Sequence, residues 1–428
     1  MKFLSPKPIP LLLAACTATL LAACGSSGDD GGDASGGTTT KATSKPITIG
    51  IAAAKTGGFA PYDLQAGQLF EMAIKEANAK GGVLGRKVEV KWIDTKSDKQ
   101  AGATNAKELI AGGANLIVAS CDFDFSLPAL QVAQAAKVPG LALCASSPKS
   151  ATPGIVGPQA GSMGQGSDTE GVAMAEWLRK THPEIKSAYI IKDNALAYTQ
   201  ATADYFSARF KELGGTLCGQ DAFVGAANVD LSSVITRLRG KASSCDVVYD
   251  SSVIPAGAQL VRAIRDAGID TPIATNAGVN GTSVIQIAGK VSDLYAAGFD
   301  CVDSYCEGGS EGAKRVSSAF KEAYGQSIGS SYALPGYDLA NALTAAIEKA
   351  GSTDGDKIAA ALYDSNLKVT LTSGKQAVFT SKCHRPQPAT YSIEQFTKGE
   401  SKAVGQWSVK QIPDLGDANP CAGTTPTA

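Results

Sequence analysis

Two aspartates, Asp122 and Asp124, alternate with two phenylalanines directly after a short apolar run. Carboxylates accept hydrogen bonds from the hydroxyl, amide or cationic groups of a small molecule, and Phe123 or Phe125 could supply an apolar wall beside them. The aspartates could instead satisfy the first amides of a following helix, although Ser126 is the better candidate for the helix cap. We expect at least one of the two aspartates to contact a ligand.

The residues around these aspartates form one strand, loop, helix, strand, loop unit. Residues 116–120 and 138–143 are apolar and rich in branched side chains, and residues 127–137 carry apolar side chains at helical spacing. Parallel strands joined through a helix present the loops that follow them at one edge of the sheet. Residues 121–126 and 144–148 should therefore lie side by side, and we expect a ligand there.

The same alternation of strand and helix runs through most of the chain. Four earlier elements show it, namely strands at 47–54 and 88–93 and helices at 64–79 and 101–111. Such a pattern indicates an α/β fold with a mostly parallel sheet covered on both faces. Residues 151–168 are rich in Gly, Pro, Ser and Gln, and a second set of strands and helices follows them. Two lobes with a cleft between them are the simplest assembly.

The composition is that of a globular protein without a basic surface for nucleic acid. The 428 residues include 39 basic and 40 acidic side chains, and 44% of all residues are hydrophobic. We expect no cofactor and no metal, because His182 and His384 lack a second ligand at a suitable spacing and no CxxC motif occurs. We expect no enzyme either, since a GxSxG nucleophile motif is absent and a catalytic triad would have to use one of these histidines.

The first residues carry the features of an exported, lipid-anchored protein. A charged and then apolar stretch ends in Leu-Ala-Ala-Cys at residues 21–24, which resembles the lipobox of bacterial lipoproteins. A partial match at Cys16 leaves a shorter apolar segment. We expect residues 1–23 to be a signal peptide, Cys24 to be the lipidated residue, and residues 24–46 to be the lipid anchor and a flexible tether. The protein should then be extracytoplasmic and held at the bacterial cell membrane.

Ten cysteines, less Cys16 and Cys24, leave eight in the predicted mature chain. An even number of cysteines in an exported protein is typical of disulfide bonds. The sequence leaves their connectivity open. The positions favour Cys121 with Cys144, Cys301 with Cys306, Cys383 with Cys421 and, by elimination, Cys218 with Cys245.

Several segments in a fixed order resemble the leucine/isoleucine/valine-binding type of periplasmic solute-binding protein, the receptor component of ABC importers. They are the opening strand with its Gly-containing loop, EMAIKEANAKGGVLGRKVEVKWIDTKSD at 71–98, AKVPGLALCASSP at 136–148, the Ala-Tyr pair at 197–198 and ALPGYDLANAL at 333–343. The resemblance covers about residues 47–399. It implies a type I clamshell of two lobes, joined by three crossover segments near residues 161–168, 275–278 and 380–388.

The resemblance also implies a domain organisation and a function. Lobe 1 would contain residues 47–165 and 277–385, lobe 2 residues 166–276 and 386–412, and the tail residues 413–428. A monomeric receptor of this kind encloses a small polar organic solute, such as an amino acid or amide, by lobe closure and delivers it to ABC permease subunits in the membrane. A ligand-sensing lipoprotein without a transport role is the alternative.

The resemblance further assigns individual residues to the ligand site. Tyr62 and Tyr198 fall at aromatic walls, and Ser146, beside the backbone of Ala145, falls at the hydroxyl that holds a ligand carboxylate. Asp250 lies near the acidic partner of a ligand ammonium group. The two tyrosines could equally pack within their own loops, and Asp250 could bond local backbone.

The loop at 121–126 departs from the amino-acid binders of this family, which have a small loop with hydroxyl groups and Gly. Here a carboxylate would repel a buried ligand carboxylate by several kcal/mol at low effective dielectric. An α-amino acid in the family's usual orientation is therefore disfavoured, and a ligand with hydroxyl, amide or cationic groups fits better. The expected ligand-binding residues are Tyr62, Asp122, Phe123, Asp124, Ala145, Ser146, Tyr198 and Asp250.

Overall fold

The computed structural model describes residues 45–416 and 419–422 of the chain. The predicted signal peptide, Cys24 and all but the last two residues of the tether lie outside these residues, as does part of the predicted tail. Within the described residues, no helix combines the length and the apolar character needed to cross a bilayer.

Strands and helices alternate along most of the described chain, as the sequence predicts. The strands are β1 (Ile47–Ala53), β2 (Val88–Asp94), β3 (Leu116–Ala119), β4 (Gly140–Ala142), β5 (Ala160–Ser162), β6 (Ser187–Asp193), β7 (Thr216–Phe223), β8 (Val247–Ser251), β9 (Ile273–Thr275), β10 (Leu294–Gly298), β11 (Cys306–Glu307), β12 (Val369–Thr370), β13 (Gln376–Ala377), β14 (Thr390–Thr397) and β15 (Glu400–Ser408). The α-helices are α1 (Ala60–Ala79), α2 (Ala101–Ala111), α3 (Phe123–Ala135), α4 (Pro153–Val156), α5 (Ser167–Thr181), α6 (Ala197–Glu212), α7 (Ser232–Arg239), α8 (Ala256–Asp266), α9 (Thr282–Ala288), α10 (Glu311–Tyr324), α11 (Leu334–Ala350) and α12 (Gly355–Leu362).

Two large sheets form the centres of the two lobes. The first has the order β2-β1-β3-β4-β5, and all its strands are parallel. The second has the order β11-β15-β14-β10-β9-β8-β6-β7, in which β10 to β7 are parallel and β14 runs antiparallel to β10 and β15. Strand β1 is buried along its whole length because helices cover both faces of its sheet. The predicted α/β fold with mostly parallel sheets is confirmed.

The second predicted crossover, at residues 275–278, is wrong. Strand β10 pairs in parallel with β9, so the chain stays in the second sheet after residue 275. After β10 the chain also contributes the short strand β11, which pairs with β15 at the edge of the same sheet. Residues 277–385 therefore do not lie entirely in lobe 1. The cause of the error is the composition of β10, Leu-Tyr-Ala-Ala-Gly, whose small residues give little strand signal.

Four disulfide bonds join the eight cysteines of the described residues, and they are the four pairs that the positions favour. The Cys121–Cys144 bond connects the segments that follow β3 and β4, so these two loops do lie side by side. The Cys383–Cys421 bond holds the tail against the third crossover. Disulfide bonds of this number are typical of proteins that fold outside the cytoplasm.

A buried ion pair holds the third crossover against the second lobe. The Arg385 guanidinium donates to both carboxylate oxygens of Asp168, at 2.5 and 2.7 Å, and neither side chain is more than 2% exposed. Asp168 lies in the first turn of α5. The residue before that helix, Gly166, has a φ of 103°, and a Cβ there would collide with the guanidinium. Glycine is therefore required at this position.

Removal of the guanidinium should destabilise the protein strongly. We expect Arg385→Met to lower the free energy of unfolding by about 3–5 kcal/mol, because Asp168 is then buried without a countercharge. Arg237→Met is the matched control. It breaks an equally short, two-bonded pair with Asp221, but Arg237 is 53% exposed, so a loss below about 1 kcal/mol is expected. Equal losses in urea unfolding of the two variants would contradict the importance of the buried pair.

Candidate functional site

A small cavity lies between the lobes, among segments that follow β1 and β3 of the first sheet and β6, β8 and β9 of the second. The residues that line it include Phe59, Tyr62, Asp122, Tyr198, Gly278 and Tyr332. We call it the interlobe cavity. Its volume is about 10 Å³, which is room for one water molecule. An organic solute can therefore enter only if the lobes separate or these side chains move.

Tyr62 connects the two lobes through its hydroxyl group. The tyrosine lies in the first turn of α1 and is buried, and its hydroxyl donates to the carbonyl of Gly278 at 2.8 Å. The same hydroxyl accepts from the backbone N–H of Ile254, also at 2.8 Å. Burial raises the pKa of Tyr62 well above its usual value. The predicted aromatic residue of the first lobe is thus at the cavity, where it fastens that lobe to the second.

Tyr198 and Glu170 form a second buried contact at the cavity. The Tyr198 hydroxyl lies 3.1 Å from each carboxylate oxygen of Glu170, to which it donates, and it accepts from the N–H of Gly278 at 3.2 Å. Glu170 also accepts from the N–H of Ala277. Burial raises the pKa of Glu170 to about 7, although these hydrogen bonds act in the opposite direction. Tyr198 was predicted from the sequence, whereas Glu170 was not.

Tyr332 occupies the centre of an aromatic cluster at the cavity. Its ring makes edge-to-face contacts with Tyr62, Tyr198 and Phe299, at centroid distances of 5.5, 6.2 and 5.1 Å. Phe59 extends the cluster, 5.2 Å from the ring of Tyr62. Such contacts add to the free energy gained by burying the rings. The sequence analysis missed Tyr332 because it lies in a short turn, next to the ALPGYDLANAL segment but outside it.

Both predicted aspartates cap helices. Asp122 is the N-cap of α3 and accepts from the N–H of Asp124 at 2.8 Å, and Ser126 lies inside the helix, so the expectation that Ser126 is the cap is wrong. Asp124 accepts from the N–H of Ala197 at 3.2 Å. Ala197 is the first residue of α6, in the other lobe. Asp122 lines the cavity as well, and burial together with the charge of Asp124 raises its pKa to about 7.

The two phenylalanines that flank Asp124 point in different directions. Phe123 is buried in the core of the first lobe, so the structure does not bring this predicted residue to the cavity. Phe125 is partly buried and stacks on Phe59 at 4.5 Å, with the ammonium of Lys99 above its ring. Helix α3 begins at Phe123 and not at 127, so both phenylalanines lie in its first turn, and the helix sets where their rings point. The apolar spacing from residue 127 onwards did not predict this turn.

Ala145 and Ser146 make local hydrogen bonds, and the Ser146 hydroxyl is also within hydrogen-bonding reach of Tyr332 in the cavity wall. The Ala145 carbonyl accepts from the hydroxyl of Ser162 at 2.6 Å, and the Ser146 carbonyl accepts from the N–H of Ser167 at 2.5 Å. The Ser146 hydroxyl donates to the carbonyl of Cys144 at 3.2 Å. The bond between Ser146 and Ser167 joins the first lobe to the start of α5. That either residue contacts a ligand stays a prediction.

Asp250 is fully buried near the end of β8. Neither carboxyl oxygen has a hydrogen-bond partner of ordinary geometry in the described part of the chain, and burial raises the pKa of Asp250 to about 8. The hydroxyl of Ser252 is close enough to lower this pKa slightly. A buried carboxyl in this condition favours its protonated form at neutral pH. The predicted role as a ligand contact stays a prediction.

Comparisons with known proteins give relatives over most of the chain. A sequence profile of periplasmic binding proteins matches residues 46–400. Leu/Ile/Val-binding protein homolog 3 of Brucella melitensis biotype 1 is 27% identical over 323 residues, which are 74% of this chain and 83% of that protein.

Solved structures share the fold. A leucine-binding protein LivK of Thermotoga maritima has a TM-score of 0.72 at 22% identity, and the match covers 84% of this chain and 98% of that one. The branched-chain amino acid transporter substrate-binding protein LivJ of Streptococcus pneumoniae, in complex with isoleucine, also has a TM-score of 0.72 at 22% identity, and that match covers 86% and 100%. At this identity the two structures support the two-lobed fold alone.

The Tyr62 hydroxyl should stabilise the closed arrangement of the lobes. Its removal in Tyr62→Phe leaves the carbonyl of Gly278 and the N–H of Ile254 with only their 3.1 Å bond to each other, and we expect a loss of about 0.5–1.5 kcal/mol in unfolding free energy. Small-angle X-ray scattering should also record a larger radius of gyration. Tyr324→Phe is the control, because that hydroxyl donates to the carbonyl of Gln68 within the first lobe. Equal losses and unchanged scattering for both variants would contradict a role in closure.

Proposed function

Because the chain belongs to the periplasmic binding protein family, we propose that it captures a small polar organic solute between its lobes and delivers it to an ABC importer. An amino acid, an amide or a related compound is the class of solute. Members of this family are solute-binding proteins and not enzymes. The relatives' names, which refer to leucine, isoleucine and valine, support an amino-acid-like solute, and the chemistry of the cavity restricts it further.

The observation that carries this proposal is the interlobe cavity with residues of both lobes in its wall. Tyr62 and Asp122 come from the first lobe and Tyr198 and Gly278 from the second, so a bound solute would touch both lobes. Such a solute favours the closed arrangement because it makes all its contacts only there. The hydrogen bonds of Tyr62 across the cleft would form in the same step. Closure then offers the permease a surface that the open receptor lacks.

A thermal-shift screen tests solute binding directly. The full chain with its disulfide bonds intact is titrated with amino acids, amides, polyols, polyamines and aromatic acids. A solute specific for the folded state should stabilise it by mass action, about 2.7 kcal/mol at 100 times its dissociation constant. The double variant Tyr62→Ala, Tyr198→Ala should lose this shift. A shift that persists in the variant would place binding outside the interlobe cavity.

We further propose that a lipid on Cys24 anchors the receptor, with residues 25–46 as its tether. The support is the Leu-Ala-Ala-Cys sequence at 21–24 and the Gly-, Ser- and Thr-rich stretch that follows. A tether of this kind keeps the receptor near its permease and raises the effective concentration without a tight interface.

Replacement of the lipidated cysteine should release the protein from the membrane. We expect Cys24→Ser, expressed in a bacterium, to move from the membrane fraction to the soluble extracytoplasmic fraction or the medium. Mass spectrometry should find a diacylglycerol group on Cys24 of the unaltered protein. Cys16→Ser is the matched control and should remain in the membrane fraction. Release by Cys16→Ser, with Cys24→Ser retained, would assign the anchor to Cys16.

A further inference from the structure

Two buried carboxyl groups lie at the interlobe cavity and its tyrosines. Asp122, the N-cap of α3, lines the cavity together with Tyr62, Tyr198 and Tyr332. Glu170, in the first turn of α5, accepts from the Tyr198 hydroxyl at 3.1 Å. They therefore approach the cavity from both lobes.

These acids have no cationic side chain as partner. None of the ion pairs within residues 45–416 and 419–422 includes Asp122 or Glu170. The ammonium group of Lys99 pairs with Asp124 instead, at 4.0 Å, and its side chain is 46% exposed. Burying an unpaired carboxylate is unfavourable by several kcal/mol. Hydrogen-bond donors alone meet the ionised forms of these carboxyls, and burial shifts both toward the protonated form.

The aromatic rings around the cavity suit a positively charged group. Phe59, Tyr62, Tyr198 and Tyr332 all contribute to its wall. A cation within about 6 Å of an aromatic face is attracted by the quadrupole of the ring, and the attraction grows when the site is desolvated. A neutral or anionic solute would gain no comparable attraction from the faces of these rings. Charge and ring arrangement therefore favour the same class of solute.

We propose that the solute is an organic cation without a carboxylate, such as a primary amine, a guanidine or a quaternary ammonium compound. Its charged nitrogen would lie among Tyr62, Tyr198 and Tyr332, with Asp122 and Glu170 as the countercharges. The proposal rests on the proposed solute-binding function and names the solute class of the same cavity. A solute carboxylate is disfavoured, because the ionised form of Asp122 would repel it in a buried site.

The charge arrangement predicts how binding depends on pH. Burial raises the pKa values of Asp122 and Glu170 to about 7, so both carboxyls are partly protonated in the free protein at neutral pH. Around Asp122, the carboxylates of Asp124 and Asp63 raise its pKa and Lys99 lowers it. Around Glu170, the N–H of Ala277 and the hydroxyl of Tyr198 lower its pKa. A cation binds the ionised form, so affinity should increase from pH 6 to pH 8 and protons should be released.

The test compares compounds that share an isobutyl group and differ in charge. Isothermal titration calorimetry of the full chain uses leucinamide and 3-methylbutylamine as cations, leucine as the zwitterion and 4-methylpentanoate as the anion. Putrescine, agmatine and choline extend the cations to other shapes. We expect at least one cation to bind at least tenfold more tightly than leucine and 4-methylpentanoate, with proton release measured in buffers of different ionisation enthalpy.

Two conservative variants test whether Asp122 and Glu170 are the countercharges of the bound cation. Glu170→Gln and Asp122→Asn should each weaken binding of the best cation by about 10- to 100-fold, the value of a lost charge-assisted bond. Asparagine also serves as an N-cap, so α3 should keep its fold. Glu394→Gln is the matched control. It removes another buried carboxyl with a raised pKa, whose partners include Ser401 and not the cavity tyrosines, and it should leave affinity unchanged.

The outcomes separate this proposal from the proposed function. Tighter binding of leucine or 4-methylpentanoate than of every cation would overturn the cationic class while supporting solute binding. Cation binding that is unchanged in Glu170→Gln and Asp122→Asn, with both variants folded by circular dichroism, would also overturn it. Absence of binding by all seven compounds would overturn the cationic class, and the function itself would then depend on the wider thermal-shift screen.

Discussion

The buried pair of Arg385 and Asp168 fixes the geometry on which the cleft depends. It fastens the third crossover to the first turn of α5, and the N–H of Ser162 donates to His384 O beside it, so the first and third crossovers run together. Glu170 lies two residues after Asp168 on the same turn, and its position next to Tyr198 follows from this anchor. Desolvation of both charges is unfavourable, and the two parallel bonds offset it. The hinge is therefore held by charge as much as by packing.

The cleft itself depends on the backbone of one residue, Gly278. The carbonyl of Gly278 accepts from Tyr62 of the first lobe, and its N–H donates to Tyr198 of the second. A side chain at this position would press against the carbonyl of Ser252, which explains why the residue is glycine. Carboxyl groups and aromatic rings lie around this residue, and no ion pair in the described part of the chain includes Asp122 or Glu170. The proposed cationic solute would supply the countercharge for their ionised forms.

The sequence predicted the buried strands and their order well, because parallel strands covered on both faces are apolar over their whole length. It predicted helix starts less well. Helices α1 and α3 each begin four residues earlier than their apolar spacing indicates, since their first turns carry polar or aromatic residues. Glu170 could not be found from the sequence, because its partner Ala277 is 107 residues away. Strand β10 was not predicted, because its small residues give little strand signal.

The disulfide bond between Cys383 and Cys421 encloses the hairpin of β14 and β15 in a covalent loop. The turn of that hairpin includes Lys398, which is exposed and thus accessible to proteases outside the cell. A cut there would not release a fragment, since both pieces remain joined through sulfur. Strand pairing on either side of the cut would hold as well. A nicked molecule would migrate as one polypeptide until it is reduced, and its second sheet would stay assembled.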